Sequence, residues 1–563
     1  MISSDIVIKN AKIHTMVSDD IYKNIVIKNK KIIHIGNDEK EILNYISENT
    51  KVIDAKDKII LPGFIDSHTH PPGTAMTKLY EVSLYGLHTI KEYQDKICEF
   101  MKENKDIKVI IGRGWSLSAF EKEEITKGPK KEHLDEITKD IPIILRAYDG
   151  HTTWLNSKAF EVNNIDVNTI PPQGGKIEIN EETNTVWGTL KETATHLADD
   201  SSYSDKQFIK AFEEFQKDMH KLGITSMLSI SGFTWGIQPK HYEALYKENL
   251  LKLRVSNSIM IFPYDDYCGQ IDEIIDIRQK YDNEYFKTVN VKILGDGVVE
   301  ASTAYLLDPY ETCCGKGEKY YGDFTWEDDT LRKVIEKSNE NKLSLQVHSV
   351  GDGATNKMLD AFDDVIEKNK SYKNARNVLT HLQLVDKKDI PRFRELGIIA
   401  SIQPYWHVKA PGWWEEVDAH LLGRLRAENE YPLNSFVKEK VMIASSSDHS
   451  VTTIPNPIWG IHAGVNRNLY NEKSFGIEDI KDIDDKRYLL NKQERVSLEE
   501  MLKSFTINNA YMIFREDEVG SIEVGKFADL VMLDTDIYEV EKIDIQRCKV
   551  AMTIFDGEIV YEI

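Results

Sequence analysis

The stretch that decides the fold is Leu61-Pro62-Gly63-Phe64-Ile65-Asp66-Ser67-His68-Thr69-His70. Its apolar part predicts a buried strand over residues 60–65, and two histidines follow shortly after. Successive side chains of a strand point to opposite faces, so His68 and His70 face the same side. Two imidazoles on one side of a strand can bind one metal ion. The stretch therefore predicts a strand that leads into a metal site.

Seven further apolar runs alternate with amphipathic helical stretches, a pattern typical of βα units around a parallel sheet. Together with 60–65, the predicted strands are 224–230, 253–260, 289–294, 343–347, 377–382, 398–402 and 441–444. Eight parallel strands with intervening helices close into a barrel. We therefore predict an α/β fold with a TIM-like (β/α)8 barrel, within residues 60–514.

Histidines and an aspartate follow the other predicted strands in the same way. His348 ends the fifth strand, His381 lies in the sixth, and Asp448 comes shortly after the eighth. A single histidine is more often a hydrogen-bonded structural residue than a ligand. Here four histidines and one aspartate lie at strand ends, which converge on one face of a barrel. This pattern predicts a metal centre.

Both ends of the chain consist of short alternating runs with turn signals between them, which are typical of β-hairpins. Residues 1–59 and 515–563 each supply too few strands to be stable alone. We therefore expect them to form one small composite β domain, similar to a β-sandwich.

Residues 72–222 separate the first predicted strand from the second and are far too long for one crossover helix. This segment must be an insertion with its own strands and helices. Because it leaves from the carboxyl end of a barrel strand, we expect it to be a lid over the mouth of the barrel.

Composition and charge exclude several classes of protein. The chain has 71 Lys and Arg against 93 Asp and Glu, a net charge of −22, which makes nucleic acid an unsuitable partner. No apolar run is long enough to span a membrane, and the first residues lack the pattern of a signal peptide. The five cysteines show no Cys-x-x-Cys spacing. We expect a soluble, cytoplasmic protein without disulfides.

Several longer motifs resemble those of the amidohydrolase superfamily, and within it the YtcJ-like branch that includes N-substituted formamide deformylases. The resemblance covers essentially the whole chain. Besides residues 61–70, it is carried by Gly112-Arg113-Gly114-Trp115, by the segments 149–156 and 291–297, by Ser447-Asp448 and by the segment 520–531.

The resemblance implies a role for each strand-end residue. His68, His70 and Asp448 would bind one metal ion, and His348 and His381 a second. Lys292, on the fourth strand, would be carboxylated and bridge the two ions. The implied cofactor is one or two zinc ions, with iron, manganese or cobalt as alternatives.

Lys292 also has an ordinary interpretation, as a lysine paired with Asp296. An unmodified ammonium group would be repelled by two divalent cations, whereas a carbamate supplies anionic oxygens. Glu192 competes for the bridging role, because some amidohydrolase branches use a glutamate there. It would otherwise contribute to the substrate pocket or be a solvated charge at the start of a helix.

Two residues of the insertion are candidate substrate contacts. The His151 imidazole could donate a hydrogen bond to a developing oxyanion, and the Trp115 indole could form a wall of the pocket. Either side chain could equally belong to the core of the lid.

The resulting hypothesis is a metal-dependent hydrolase that uses activated water to cleave a C–N bond of an amide, with N-substituted formamides as candidate substrates. Asp448 would be the general base and then the general acid. The alternatives are a mononuclear deaminase or cyclic-amide hydrolase of the same superfamily, or an inactive metal-stabilised binding protein. The expected partner is a small amide-like molecule, and the resemblance implies a homodimer.

Overall fold

The computed structural model describes residues 4–105, 107–148, 150, 152–172, 175–198, 203–233, 236–263, 266–312, 317–478 and 480–563. The chain divides into two compact units. The first unit consists of Met1–Pro71 with Gln216–Ile563, and the second unit is Pro72–Phe215. No helix in the described ranges is long and apolar enough to cross a membrane.

The strands of the described residues belong to four sheets. In chain order they are β1 (Ile6–Lys9), β2 (Lys12–His14), β3 (Ile21–Tyr22), β4 (Asn24–Lys28), β5 (Lys31–Gly36), β6 (Lys51–Asp54), β7 (Ile59–Pro62), β8 (Phe64–Thr69), β9 (Val82–Ser83), β10 (Ile110–Trp115), β11 (Ile143–Ala147), β12 (Thr152–Leu155), β13 (Lys176–Asn180), β14 (Thr185–Lys191), β15 (Ile224–Ser231), β16 (Arg254–Met260), β17 (Phe286–Leu294), β18 (Ser344–Ser349), β19 (Val378–His381), β20 (Ile399–Ile402), β21 (Ile443–Ser445), β22 (Leu530–Leu533), β23 (Val550–Phe555) and β24 (Glu558–Glu562).

The α-helices of the same residues are mostly amphipathic and lie mainly between barrel strands. In chain order they are α1 (Glu39–Ile42), α2 (Thr74–Tyr80), α3 (Ile90–Glu103), α4 (Glu123–Lys127), α5 (Glu132–Asp135), α6 (Ser157–Val162), α7 (Asp205–Lys221), α8 (Pro239–Lys247), α9 (Tyr267–Tyr281), α10 (Asp328–Glu340), α11 (Asp352–Lys368), α12 (Ile390–Leu396), α13 (Ala419–Leu422), α14 (Arg424–Ala427), α15 (Leu433–Lys438), α16 (Pro457–Asn466), α17 (Leu498–Ser504) and α18 (Ile507–Met512).

The first unit contains the predicted parallel barrel. Its strand order is β8-β15-β16-β17-β18-β19-β20-β21, and all neighbours in this order are parallel. A parallel bridge between Thr69 and His449 joins the chain after β21 to the end of β8. The predicted α/β barrel is therefore confirmed, and each of the eight predicted runs contributes to it.

The first barrel strand was predicted too early in the sequence. The apolar run 60–65 is divided at Gly63: β7 ends at Pro62, and the barrel strand β8 begins at Phe64. The Gly63 N–H donates to Asp529 O (2.9 Å), and a Cβ at this position would overlap the Thr225 side chain. A continuous apolar run thus serves two sheets, because the chain changes partners at a residue without a side chain.

Strands from both ends of the chain pair in one sheet, as the composite β domain requires. The sheet has the order β24-β23-β22-β7-β2-β3, in which β22 pairs antiparallel with β7. A second sheet, β5-β4-β1-β6, comes from the N-terminal part alone. Isoleucines of both sheets share one buried apolar core, which gives the sandwich-like packing.

The second unit is built around a six-stranded sheet with the order β13-β14-β12-β11-β10-β9. The insertion therefore has its own strands, as predicted, among them β10 and β11. Its core includes Tyr93, Trp115 and Trp154, which are fully buried. The insertion therefore has its own hydrophobic core, and its role as a lid stays a prediction.

Arg254 connects the start of barrel strand β16 to the terminal sheets. Its guanidinium group is fully buried and donates to both carboxylate oxygens of Asp529 (2.8 and 3.1 Å) and to Asp556 Oδ1 (2.7 Å). It also lies 3.7 Å from the centroid of the Phe527 ring. A bidentate pair of this kind fixes both the distance and the orientation of the groups it joins.

We predict that Arg254→Met lowers the free energy of unfolding by about 3–5 kcal/mol, because the buried Asp529 loses its cation while Asp556 keeps Lys30 (2.8 Å). Urea denaturation of the purified protein measures this change. The matched control is Arg332→Met, since Arg332 pairs with Asp364 (2.7 Å) at the surface, where an ion pair contributes about 0–1 kcal/mol. Equal effects of the two substitutions would contradict the role assigned to Arg254.

Candidate metal centre

Asp448 lies beside the two histidines of the opening motif. Its Oδ1 is 3.4 Å from His68 Nε2 and 3.1 Å from His70 Nε2. Ligand atoms of His68, His381 and Asp448 all lie within 4.8 Å of one another, and all three residues are buried. The structure therefore brings together the ends of β8 and β19 and the loop after β21.

His348 and His381 come from neighbouring strands, with ring centroids 4.4 Å apart. His381 Nδ1 lies 2.9 Å from Gln403 Oε1, and His348 Nε2 lies 3.0 Å from Gly297 O. A proton donated to each of these oxygens leaves the opposite ring nitrogen with a free lone pair. These hydrogen bonds thus orient His381 Nε2 and His348 Nδ1 as ligand atoms.

His68 has a side-chain partner as well. Gln346 Nε2 lies 3.1 Å from His68 Nδ1, while Gln346 Oε1 is buried without a hydrogen-bond partner in the described part of the chain. A half-turn of this amide would let Oε1 accept the Nδ1 proton and leave His68 Nε2 free for a metal ion. The unpaired oxygen therefore fits a site in which His68 is a ligand.

Lys292 of β17 points into the same buried region and makes no ion pair with Asp296. Its Nζ has no hydrogen-bond partner among the described residues. Asp296 instead accepts hydrogen bonds from the backbone N–H groups of Tyr305, Val350 and Gly351. The interpretation of Lys292 as the partner of Asp296 is therefore wrong, because the carboxylate already serves three amides.

Burial controls the charge of these groups. It lowers the pKa of Lys292 to about 7 and lowers the pKa values of His68 and His348 well below the usual range. Burial alone would raise the pKa of Asp448, but the neighbouring His68 and His70 hold it below its ordinary value. Neutral imidazoles around a carboxylate form the donor set that divalent transition metals prefer. The residues present fit a divalent ion.

The other predicted site residues lie in the insertion. Trp115 is fully buried, its Nε1 donates to Leu145 O (2.9 Å), and its ring packs edge-on against Phe120 and Trp154. The prediction that Trp115 lines a pocket is not supported, since it belongs to the core of the second unit. Glu192 begins a short helical turn, Glu192–Leu197, and its role stays a prediction. His151 lies outside the described residues.

Sequence reasoning missed the residues that position the ligands. Asp66 Oδ1 accepts from the backbone N–H groups of His68 (3.3 Å) and Ser447 (3.0 Å), and so it holds the two neighbouring ligand segments. Gln346 and Gln403 orient His68 and His381. One signal could have found Gln346: it is two residues before His348 and thus on the same face of the strand.

Comparisons with known proteins cover nearly the whole chain. The family model described as the amidohydrolase family matches residues 51–561. YtcJ of Bacillus subtilis is 25% identical over 98% of this chain and 98% of its own length. The N-substituted formamide deformylase of Arthrobacter pascens is 24% identical over 99% of this chain and 98% of its own.

A solved structure of an uncharacterized metal-dependent hydrolase from Pyrococcus horikoshii superimposes with a TM-score of 0.74. It is 22% identical, and the match covers 95% of this chain and 99% of the other. This likeness shows the fold. The family match extends from β6 to β24 and includes all the predicted strand-end ligands, and on that basis the chain belongs to the amidohydrolase family of metal-dependent hydrolases.

Proposed function

We propose that the protein hydrolyses the C–N bond of an amide, with N-substituted formamides as the first substrates to test. The observation that carries this proposal is the meeting of His68, His381 and Asp448 beside the unpaired Lys292. The similar deformylase from Arthrobacter pascens supports the choice of substrate class. Trp406 also supports this substrate class. Its ring is partly exposed and stacks on His381, with ring centroids 5.7 Å apart, which suits an apolar substituent on the substrate nitrogen.

In this proposal the metal is held by His68, His70, His348, His381, Asp448 and a carboxylated Lys292. A divalent ion in such a site lowers the pKa of water to about 7 and polarises the carbonyl under attack. Zinc suits the imidazole and carboxylate donors, as do iron, manganese and cobalt.

Asp448 is the residue placed to move the proton. Its N–H donates to His68 O (2.9 Å), so the backbone fixes the carboxylate beside the histidines of β8. The carboxylate accepts a proton from the attacking water and delivers it to the departing nitrogen. The products are the carboxylic acid, which is formate for a formamide, and the free amine.

A second candidate function is that of a mononuclear deaminase. It is favoured by the fact that the described residues place one compact set of three ligands, His68, His381 and Asp448, around one position. The unpaired Lys292 favours the amide hydrolase, since only a site with a bridging group requires a lysine there. Counting the bound metal ions distinguishes the two.

We predict that His68→Ala and His70→Ala each remove metal from one site and abolish hydrolysis, because the ion loses one of two imidazoles on the same strand. Metal analysis of the purified variants, together with assays on a panel of formamides and acylated amines, measures both effects. The control is His88→Ala, since His88 is exposed and outside the cluster. Normal metal content with full activity in either variant would refute the site.

We predict that Asp448→Asn folds and retains metal but loses about 10² to 10⁴ in kcat, the usual contribution of a general acid or base. The amide keeps the shape of the side chain but cannot accept the proton. Steady-state kinetics and metal analysis of the same sample separate the two roles. A loss below about tenfold would indicate that another group transfers the proton, with His151 the next candidate.

We predict that Lys292 forms a carbamate. Its neutral Nζ attacks the carbon of CO₂, forms the N–C bond and releases one proton. When zinc is added back to the metal-free protein, activity should therefore return faster if bicarbonate is also present. With carbon-13 bicarbonate, the carbon-13 NMR spectrum of the protein should show a carbamate signal. Lys292→Ala should bind fewer ions, and acetate should partly restore its activity. Full metal loading with an unmodified lysine would exclude the carbamate.

A further inference from the structure

The barrel sheet has two edge strands, β8 and β21, and we call the line along which they meet the seam. The strand order begins at β8 and ends at β21, and the described residues form one parallel bridge across the seam, between Thr69 and His449. In a parallel ladder, evenly spaced hydrogen bonds satisfy the carbonyl groups of both strands. The carbonyl groups that precede this bridge in β8 and β21 therefore need other donors.

One side chain donates hydrogen bonds to both strands of the seam. Asn509 of α18 is completely buried, and its Nδ2 donates to Ile65 O (2.5 Å) and to Ser445 O (2.7 Å). Ile65 belongs to β8 and Ser445 belongs to β21. The two N–H groups of a primary amide suit two carbonyl groups that lie side by side. Asn509 thus takes the place of ladder hydrogen bonds between the two strands.

The contacts of Asn509 also determine how its amide is oriented. A half-turn of the amide would direct Oδ1 at two carbonyl oxygens, which can only accept hydrogen bonds. The chain before Asn509 is attached to the same strands, because the Ile65 N–H donates to Phe505 O (2.8 Å) and Ser504 Oγ lies 2.7 Å from Ser445 Oγ. The segment from Ser504 to Asn509 therefore joins β8 to β21.

The two carbonyl groups that Asn509 joins lie at equal distances along the chain from two candidate ligands of one metal ion. His68 is three residues after Ile65, and Asp448 is three residues after Ser445. Asp448 Oδ1 lies 3.4 Å from His68 Nε2. Distances between a metal ion and its ligands vary by only about 0.2 Å around their usual values. A small change in the separation of β8 and β21 therefore changes how well His68 and Asp448 fit one ion.

We infer that Asn509 is a positioning residue for the metal centre, because its amide sets the separation of β8 and β21 and thereby the geometry of His68 and Asp448. The amide acts through the backbone of the two strands and donates to neither ligand. His381 comes from β19 and is oriented by Gln403, so this ligand does not depend on the amide. Loss of the amide should therefore weaken metal binding without abolishing it. The inference rests on the metal centre of the proposed function, but not on which bond is hydrolysed.

The test measures metal affinity in Asn509→Leu, which keeps the approximate size of the side chain and removes both donors without adding a charge. The metal-free full-length proteins are titrated with cobalt(II), and the affinity for zinc is obtained by competition with a chromogenic chelator. We expect the wild type to bind each ion about 10 to 100 times more tightly than the variant, the usual effect of removing a group that positions a ligand. The visible absorption spectrum of bound cobalt should also change, because it reports coordination geometry.

Asn508 provides a matched control on the same helix. Its Nδ2 donates to Ile443 O (3.0 Å), which belongs to β21. Asn508→Leu therefore also removes an amide donor to a barrel strand, but it leaves both hydrogen bonds of Asn509 across the seam. Urea denaturation of the metal-free variant should show a lower free energy of unfolding, while its metal affinity and cobalt spectrum should equal those of the wild type.

Two results would overturn the inference. Equal metal affinity and equal cobalt spectra in the wild type and in folded Asn509→Leu would make Asn509 a purely structural residue. An equal loss of affinity in Asn508→Leu would show that the effect does not depend on the seam.

If Asn509→Leu does not fold, as judged by circular dichroism, Ser67→Ala decides the outcome. The Ser67 hydroxyl donates to the same acceptor across the seam, Ser445 O (3.1 Å), and the substitution removes a single oxygen. The Kd for cobalt should rise in this variant, and an unchanged Kd would refute the inference.

Assays on amides separate this inference from the proposed function. A wild type that binds cobalt but hydrolyses no amide would refute only the proposed function, and the metal affinities of the variants would still decide the role of Asn509. A wild type that binds no divalent ion would refute both.

Discussion

The closure between the first and last barrel strands is the constraint on which the site depends. The Asp448 N–H donates to His68 O (2.9 Å), and the His70 N–H donates to His449 O (2.6 Å). Asp66 accepts from the backbone on both sides of this seam. The residues at opposite ends of the barrel sequence therefore meet through their main chains, and their side chains converge as a consequence.

Closure explains how so many polar groups are tolerated in the interior. Burial lowers the pKa values of His68, His348 and His381, which favours their neutral forms. Gln403 connects His381 to the Ser446 hydroxyl. Buried polar groups are stable when they are hydrogen-bonded, and two that lack a partner among the described residues, Lys292 Nζ and Gln346 Oε1, lie at the candidate metal centre. A bound ion and its ligands would account for both.

Buried carboxyl groups occur in two different arrangements, one at the start of a barrel strand and one after the end of a barrel strand. At the start of β16, two cations, Arg254 and Lys30, pair with two carboxylates, Asp529 and Asp556. These balanced charges join the barrel to the terminal sheets. Asp418 and Glu430 lie between β20 and β21, where both accept from the Gln383 amide. The carboxylates beside Arg254 are thus paired with cations, whereas Asp418 and Glu430 share a neutral amide.

The sequence alone predicted the barrel and the additional β domain, because alternation and apolar runs depend on local spacing. It also predicted which strand-end residues the fold brings together, among them His68, His381 and Asp448. It misplaced the first barrel strand, since the run 60–65 gives no sign that Gly63 separates two sheets. Only the tertiary structure excluded the Lys292–Asp296 pair and placed Trp115 in a core. Those outcomes depend on contacts between residues far apart in the chain, where local spacing carries no information about which polar group already has a partner.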